Sequence, residues 1–401
     1  MIKPQTLKGF RDFLPQDARK RKYVSGTLQK VFESFGFEPL ETPTLEYEEI
    51  LAGKYGEEGE KLMYRFEDNG KRRVAMRYDQ TVPLARVVAQ YQNELPTPFK
   101  RFQMQNVWRA ENTQKGRYRE FLQCDIDIVG LASVAADAET IAVVAQSLKA
   151  LGFREFKILL NERSVFGDLP IEAIITIDKL KKVGGENVKK ELVERGFSEE
   201  ALERVQNAPL PESLSTIIEI AARMGVDAES ITFEPTLARG LDYYTGMIME
   251  VEIAGYTVGS VGGGGRYDKL LGLFANKPIP AVGFAFGFDR VFEAMSQLEL
   301  FPSSLDATAS VLVTIFGLEY ADNSITIANK LRENGISTEL WLDANTKMEK
   351  QLKYANQKAI PYVIIAGPTE KEKNVVTVKD MKKREQRQVN IDELFTLLTT
   401  K

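Results

Sequence analysis

Residues 117–129 read RYREFLQCDIDIV, and their alternation suggests a strand with two unlike faces. Period two places Leu122, Cys124, Ile126 and Ile128 on one face and Phe121, Gln123, Asp125 and Asp127 on the other. A solvated outer face is the plainer reading of that acidic row; the polar floor of a ligand site is the sharper one. The stretch before it, KRFQMQNVWRAE, ends in Arg109 and Glu111, and a connection containing Lys115 and Gly116 leads to Arg117 and Arg119. Guanidinium forks bind phosphate oxygens in pairs, so an Arg-rich hairpin of this kind suits a polyphosphate. No G-x-x-x-x-G-K-[ST] run occurs, which rules out a P-loop, so a bound nucleotide would lie on a sheet floor. Three further stretches carry candidate chemistry: LARGLDYYTG at 237–246, GSVGGGGRYD at 259–268 and AVGFAFGFDR at 281–290. The four glycines allow close approach of a ligand or a neighbouring strand, although a tight turn explains them as well. The last stretch sets small residues on a strand and Arg290 at the start of a helix.

The elements needed to hold these residues are legible from periodicity. Residues 17–36 predict an amphipathic helix, with Val24, Leu28, Val31, Phe32 and Phe35 on one side, Asp17 as cap and Gly36 as stop. Strands of an antiparallel sheet are expected at 72–78, 99–109, 119–129, 246–254 and 278–286, with helices near 81–93, 135–151 and 288–298. Charged helical stretches from Lys179 to Met224 suggest a small insertion. After Phe301-Pro302-Ser303-Ser304, a linker, strands at 310–316, 337–342, 361–366 and 374–379 alternate with helices near 322–334, 346–357 and 391–400, which implies a separate α/β domain. Between Lys371 and Arg387 there are seven basic residues against three acidic. A solvated face and an RNA-facing patch are both consistent with that bias.

Composition bounds the chemistry. The chain has 401 residues, net charge −4, and no histidine at all. Serine–histidine triads, H-E-x-x-H zinc sites and imidazole acid–base catalysis are therefore excluded. Cys124 is the only cysteine, so an internal disulfide is impossible and no zinc cluster is expected. No apolar run approaches a membrane span and the N-terminal stretch lacks a signal-peptide core, so a cytoplasmic protein is expected.

Taken together and in order, these segments resemble the three motifs of class II aminoacyl-tRNA synthetases and the two signatures of the histidyl-tRNA synthetase family. Residues 19–44, 101–129 and 283–290 resemble motifs 1, 2 and 3, while RGLDYYTG and GGGGRYD resemble the signatures, so the likeness spans essentially the whole chain. It implies an α+β fold: a class II antiparallel sheet flanked by helices (1–164 and 231–300), a helical insertion (165–230) and a C-terminal α/β anticodon-binding domain (306–401). It implies ATP-dependent activation of histidine and transfer to tRNA(His), with ATP and Mg²⁺ as cofactors and a homodimer joined through motif 1. No metal ligands are assigned.

By the same resemblance, Arg109 and Arg239 are the catalytic cations at the α-phosphate. Glu111 accepts from the adenine amino group, Phe121 and Arg290 sandwich the adenine, and Arg117 lies over the outer phosphates. Asp79, Thr81 and Gln123 hold the histidine α-amino group, Arg239 its carboxylate, and Asp127 and Tyr244 its ring nitrogens, with Tyr267 lining the pocket. Tyr243 is counted with this pocket, its alternative being a core-facing side chain. Some relatives carry Glu where this chain has Asp79 and Asp127, which keeps the charge and shortens the reach. Arg119 and Arg266 are left out as surface or supporting residues, and Asp242 is read as an ion-pair partner. None of these roles needs an imidazole, so only shifted groups or the substrate are expected to titrate between pH 5.5 and 7.5. Two alternatives stand beside this reading. One is the regulatory subunit of ATP phosphoribosyltransferase, a relative that commonly lacks the C-terminal domain and the ATP-binding arginines. The other is a tRNA-binding or sensor module in which those arginines are idle.

Overall fold

The computed structural model describes residues 2–113, 117–239, 244–275 and 277–399. The chain forms two compact units, residues 1–13 with 21–300 and residues 14–20 with 301–401. The first is built on an eight-stranded sheet. In spatial order its strands are Glu38–Pro39, Phe99–Trp108, Glu120–Val129, Ala281–Gly287, Gly262–Arg266, Met247–Ile253, Phe156–Glu162 and Ile231–Phe233. The six central strands pair antiparallel, as expected, and each edge strand adds a parallel pair.

One face of the sheet is core. Cys124, Ile126 and Ile128 project from it beside Phe284 and Phe286, all buried. The helix Pro15–Ser34 covers it through Val24, Leu28, Val31 and Phe32, with the Phe32 ring centroid 5.6 Å from Phe102 and 5.9 Å from Phe286. Burying such aromatic rings is a large stabilising term. Asp17 lies inside the first turn rather than at the cap, because the helix begins at Pro15, where a missing N–H costs nothing. Gly36 ends the helix as expected, at φ +75°. Val134–Ala150 and Phe288–Gln297 complete the helical layer.

Two expectations are corrected, and one strand was not foreseen. Residues 72–78 do not join the main sheet; Arg73–Met76 is the middle of a separate three-stranded sheet with Leu45–Tyr47 and Arg65–Glu67. Phe156–Glu162, buried on both faces, has no clean alternation and escaped the sequence reading. The glycine run is no turn: Gly262–Arg266 is a central strand.

Between residues 171 and 206 four short helices gather around Phe166, Ile174, Ile177, Val188, Leu192 and Val205. The next helix, Glu212–Arg223, packs against Val134–Ala150. In the second unit Thr338–Leu340, Val311–Val313 and Tyr362–Ile365 are parallel, and Val376–Asp380 and Glu385–Val389 extend the sheet antiparallel. Helices Ala321–Glu333, Met348–Gln357 and Ile391–Thr399 alternate with these strands. The last strand was not foreseen because EQRQV is almost wholly exposed.

Candidate active site

The acidic row of Glu120–Val129 is not solvated. Gln123, Asp125 and Asp127 are 8%, 3% and 4% exposed, so the plainer sequence reading is overturned. Strand register explains the burial. Arg101, Asp127, Gly283 and Gly265 lie on one line across four strands; Gln103, Asp125, Ala285 and Gly263 lie on the next. Each line is polar at one end and bare at the other. The bare end makes the cavity: a Cβ on Gly283 would come within 2.0 Å of Asp127 Oδ1, and one on Gly265 within 3.1 Å of the Tyr244 ring.

This cavity, about 400 Å³, is lined by Asp79, Thr81, Gln123, Asp125, Asp127, Arg239, Tyr244 and Tyr267. Adjoining it is a cleft of about 630 Å³ lined by Glu111, Arg117, Tyr55 and Tyr78. Arg109, Phe121 and Arg290 line both. The fold thus brings together every site residue read from the sequence except Tyr243, which lies outside the described residues, as does Asp242.

Asp127 is set from two sides. The guanidinium of fully buried Arg101 stands 2.6 Å away, and the Tyr267 hydroxyl donates to Oδ1. Burial pushes the Asp127 carboxyl up to about 6, against the opposing pull of Arg101. Asp125 beside it is pushed up to about 8, again by burial first. Gln123 Nε2 donates to Asp125 Oδ2 at 2.8 Å, which fixes the amide. Gln123 Oε1 and Asp125 Oδ1 are buried with no hydrogen-bond partner of their own, the sort of unpaired group that a polar ligand completes. Asp79 accepts from the Tyr55 hydroxyl at 2.8 Å, and burial raises its carboxyl too.

The cleft is cationic and aromatic. Arg109 packs its guanidinium over the Tyr78 ring at 4.4 Å and near Phe121 at 5.2 Å, while its Nε donates to the Tyr78 carbonyl. Arg290 Nη1 donates to the Ser260 carbonyl at 2.7 Å. Arg117 is more than half exposed, 3.8 Å from Glu111. Three cations around one floor suit a nucleotide polyphosphate. Among the described residues, no group of three acidic, histidine or cysteine side chains is arranged to hold a metal ion.

Residues 9–291 match the family model described as histidyl-tRNA synthetase, and residues 310–401 match the one described as anticodon binding domain. The chain belongs to the histidyl-tRNA synthetase family. It is 39% identical to the histidine–tRNA ligase of Bacteroides fragilis, covering 99% of both chains. With the histidine–tRNA ligase of Christiangramia forsetii it shares 38% identity over 98% of each. The crystal structure of histidyl-tRNA synthetase from Nostoc superposes with a TM-score of 0.88 at 29% identity, covering 99% of both chains. Members of this family use ATP in their reaction, consistent with the cleft.

Arg119 and Arg266, left out of the sequence reading, stay out of the cavities. Arg119 Nε donates to the Glu111 carbonyl, and Arg266 forms a buried pair with Asp137. Three residues of the site were missed. Arg101 and Asp125 were visible as polar alternation, since Arg101, Gln103 and Gln105 share a period-two face opposite Asp127, Asp125 and Gln123. Tyr55 carries no signal of its own, because its partner Asp79 lies 24 residues away.

Proposed function

We propose that this chain is the ligase that joins histidine to its tRNA in two ATP-dependent steps. In the first, a carboxylate oxygen of histidine attacks the α-phosphorus of ATP. The bond to the bridging oxygen breaks, and pyrophosphate leaves histidyl-adenylate behind. In the second, a ribose hydroxyl of the terminal adenosine of tRNA(His) attacks the acyl carbon and releases AMP. The observation that carries this reading is the pair of adjoining cavities sharing Arg109, Phe121 and Arg290. One is sized and charged for a small zwitterion, the other for a nucleotide.

The residues then divide the work. Arg109 and Arg239 offset charge growing at the α-phosphate, where prepositioned cations act most strongly on the transition state. Phe121 and Arg290 flank the adenine, Glu111 accepts from its amino group, and Arg117 reaches the outer phosphates. Asp79, Thr81 and Gln123 hold the α-ammonium. Asp127 and Tyr244 read the two ring nitrogens, with Tyr267 holding the Asp127 carboxylate in place. An apolar isostere of the imidazole would press against the buried Asp127 carboxyl without donating to it, which is a basis for rejection. Mg²⁺ would accompany ATP and offset charge on its phosphates, with no residue of the cavities assigned to hold it. The assignment of 1–164 and 231–300 as catalytic, 165–230 as insertion and 306–401 as anticodon-binding follows the same reading. So do a homodimer through residues 19–44 and a cytoplasmic location; no described helix is long and apolar enough to cross a membrane.

Retention of Arg109, Arg239 and Arg290 in the cavities, with a C-terminal unit that matches the anticodon binding domain model, favours the ligase over the regulatory subunit of ATP phosphoribosyltransferase. Histidine-dependent ATP–pyrophosphate exchange tests it. Exchange is expected; histidine binding without exchange would establish the sensor instead.

A further inference from the structure

Two contacts outside the cavity fix where the Arg239 guanidinium points. Glu250, on the strand Met247–Ile253, accepts from Arg239 Nε and from Nη2, both at 2.7 Å. Gly263 stands opposite Glu250 in register, and a Cβ there would come within 2.9 Å of Arg239 Nη1 and 3.1 Å of Cζ. The guanidinium therefore lies flat on bare backbone with two of its nitrogens committed to Glu250, which leaves Nη1 as the nitrogen that Glu250 does not engage. Burial opposes the Glu250 charge, but the bond to Arg239 outweighs it and holds the carboxyl below its ordinary range. The second contact comes from the helical segment. Asp178, at the end of the helix Ile171–Asp178, accepts from the backbone N–H of Ala238 at 3.3 Å. Ala238 is buried in the same apolar cluster as Phe166, Ile174 and Ile177. The residue immediately before Arg239 is thus part of the helical segment's core.

We propose that Glu250 and Asp178 are positioning residues for Arg239, and that the helical segment 171–206 takes part in adenylate formation by holding the chain that delivers this cation. The inference rests on the ligase reading. An arginine on a free side chain must be ordered at the moment of reaction; one clamped by a bidentate carboxylate and an anchored backbone is ordered beforehand. Neither acid lines the cavities, so both act through Arg239.

The test is histidine-dependent ATP–pyrophosphate exchange with the full chain. Glu250→Ala is expected to lower kcat by roughly 10–100-fold, the scale of a misplaced catalytic group, with histidine KM changed less than about threefold. Asp178→Ala should lower kcat less, and Asp178→Asn, whose amide oxygen still accepts from Ala238, should restore it. Arg239→Ala with Glu250→Ala should be no slower than Arg239→Ala alone, since the clamp has nothing left to hold. Unchanged kcat in Glu250→Ala, losses that multiply in the double variant, or a rise in histidine KM alone would each overturn the proposal. If circular dichroism shows Glu250→Ala unfolded, Glu250→Gln makes the same comparison at constant volume, because its amide meets one guanidinium N–H with another. A wild type without exchange would sink the ligase reading itself, and is seen before any variant is compared.

Discussion

Asp127 is the residue on which histidine recognition would turn under the proposed function, and its surroundings change the expected pH behaviour. The sequence contains no imidazole, so free histidine was the natural candidate for any titration near pH 6. Burial brings Asp127 up to about 6 as well. Both groups are then protonated together as pH falls, one losing its acceptor and the other gaining charge. The profile of kcat/KM for histidine, which reports free enzyme and free substrate, should fall below pH 6 with a slope approaching two protons. In Asp127→Asn the slope should return to one, with histidine KM raised strongly and ATP KM almost unchanged. A one-proton slope in the wild type would remove Asp127 from the titration; equal loss of both affinities would make the residue structural. Asp125 supports a separate prediction about stability. Its carboxyl sits at about 8 in the fold, raised by burial first, with Asp127 and Asp79 adding to the rise and Arg101 opposing it. An unfolded Asp ionises near 3.9, so the folded state binds this proton more tightly. The stabilising contribution is complete below about pH 3.9 and is lost as pH rises towards 8. Asp125→Asn removes that loss, so its Tm should gain on wild type progressively from pH 5 to pH 8 and then level off. A difference that stays constant across the range would show that Asp125 does not titrate there.

At the scale of elements, the glycine strand Gly262–Arg266 explains how a crowded sheet contains a cavity. Its absent side chains, with Gly283 and Ala285 on the neighbouring strand Ala281–Gly287, leave the space that Arg239 and Tyr244 border. Gly264 points the other way: a Cβ there would lie 2.1 Å from the Gly283 carbonyl oxygen, a backbone atom locked in the sheet. Gly264→Ala is therefore expected to cost about 3 kcal/mol or more, at the upper end of overpacking effects, as measured by urea unfolding. A cost below about 1 kcal/mol would mean that the two strands separate easily.

For the molecule as a whole, the proposed function would place amino-acid activation in the first unit and anticodon recognition in the second, whose residues 310–401 match the anticodon binding domain model. The second unit has its own core of Val311, Val313, Leu331, Ile364 and Leu394. The basic bias foreseen between Lys371 and Arg387 ends on the exposed turn at Lys382, Lys383 and Arg384, between the strands Val376–Asp380 and Glu385–Val389. Such a projection can meet phosphate without disturbing the core. Deleting 301–401 should preserve histidine-dependent pyrophosphate exchange in measurable amount and sharply weaken tRNA charging, with circular dichroism reporting that the remainder folds. Normal charging by the truncated chain would remove the anticodon role from this unit.

The resemblance to the family supplied the candidate site residues; the sequence by itself determined the elements with strong periodicity, the linker at 301–304, and the exclusion of imidazole and P-loop chemistry. Those properties are local: they depend on residue type and on spacing within one segment. Tertiary structure alone decided that the acidic face of Glu120–Val129 is buried, because burial depends on strands more than 100 residues away in the chain. It also decided that Arg101 stands behind Asp127, that Tyr55 holds Asp79, and that the glycine run is a strand. Glycine has no side chain to alternate, so a strand made of it leaves no period to read; its meaning comes only from the side chains of other segments that occupy the room it leaves.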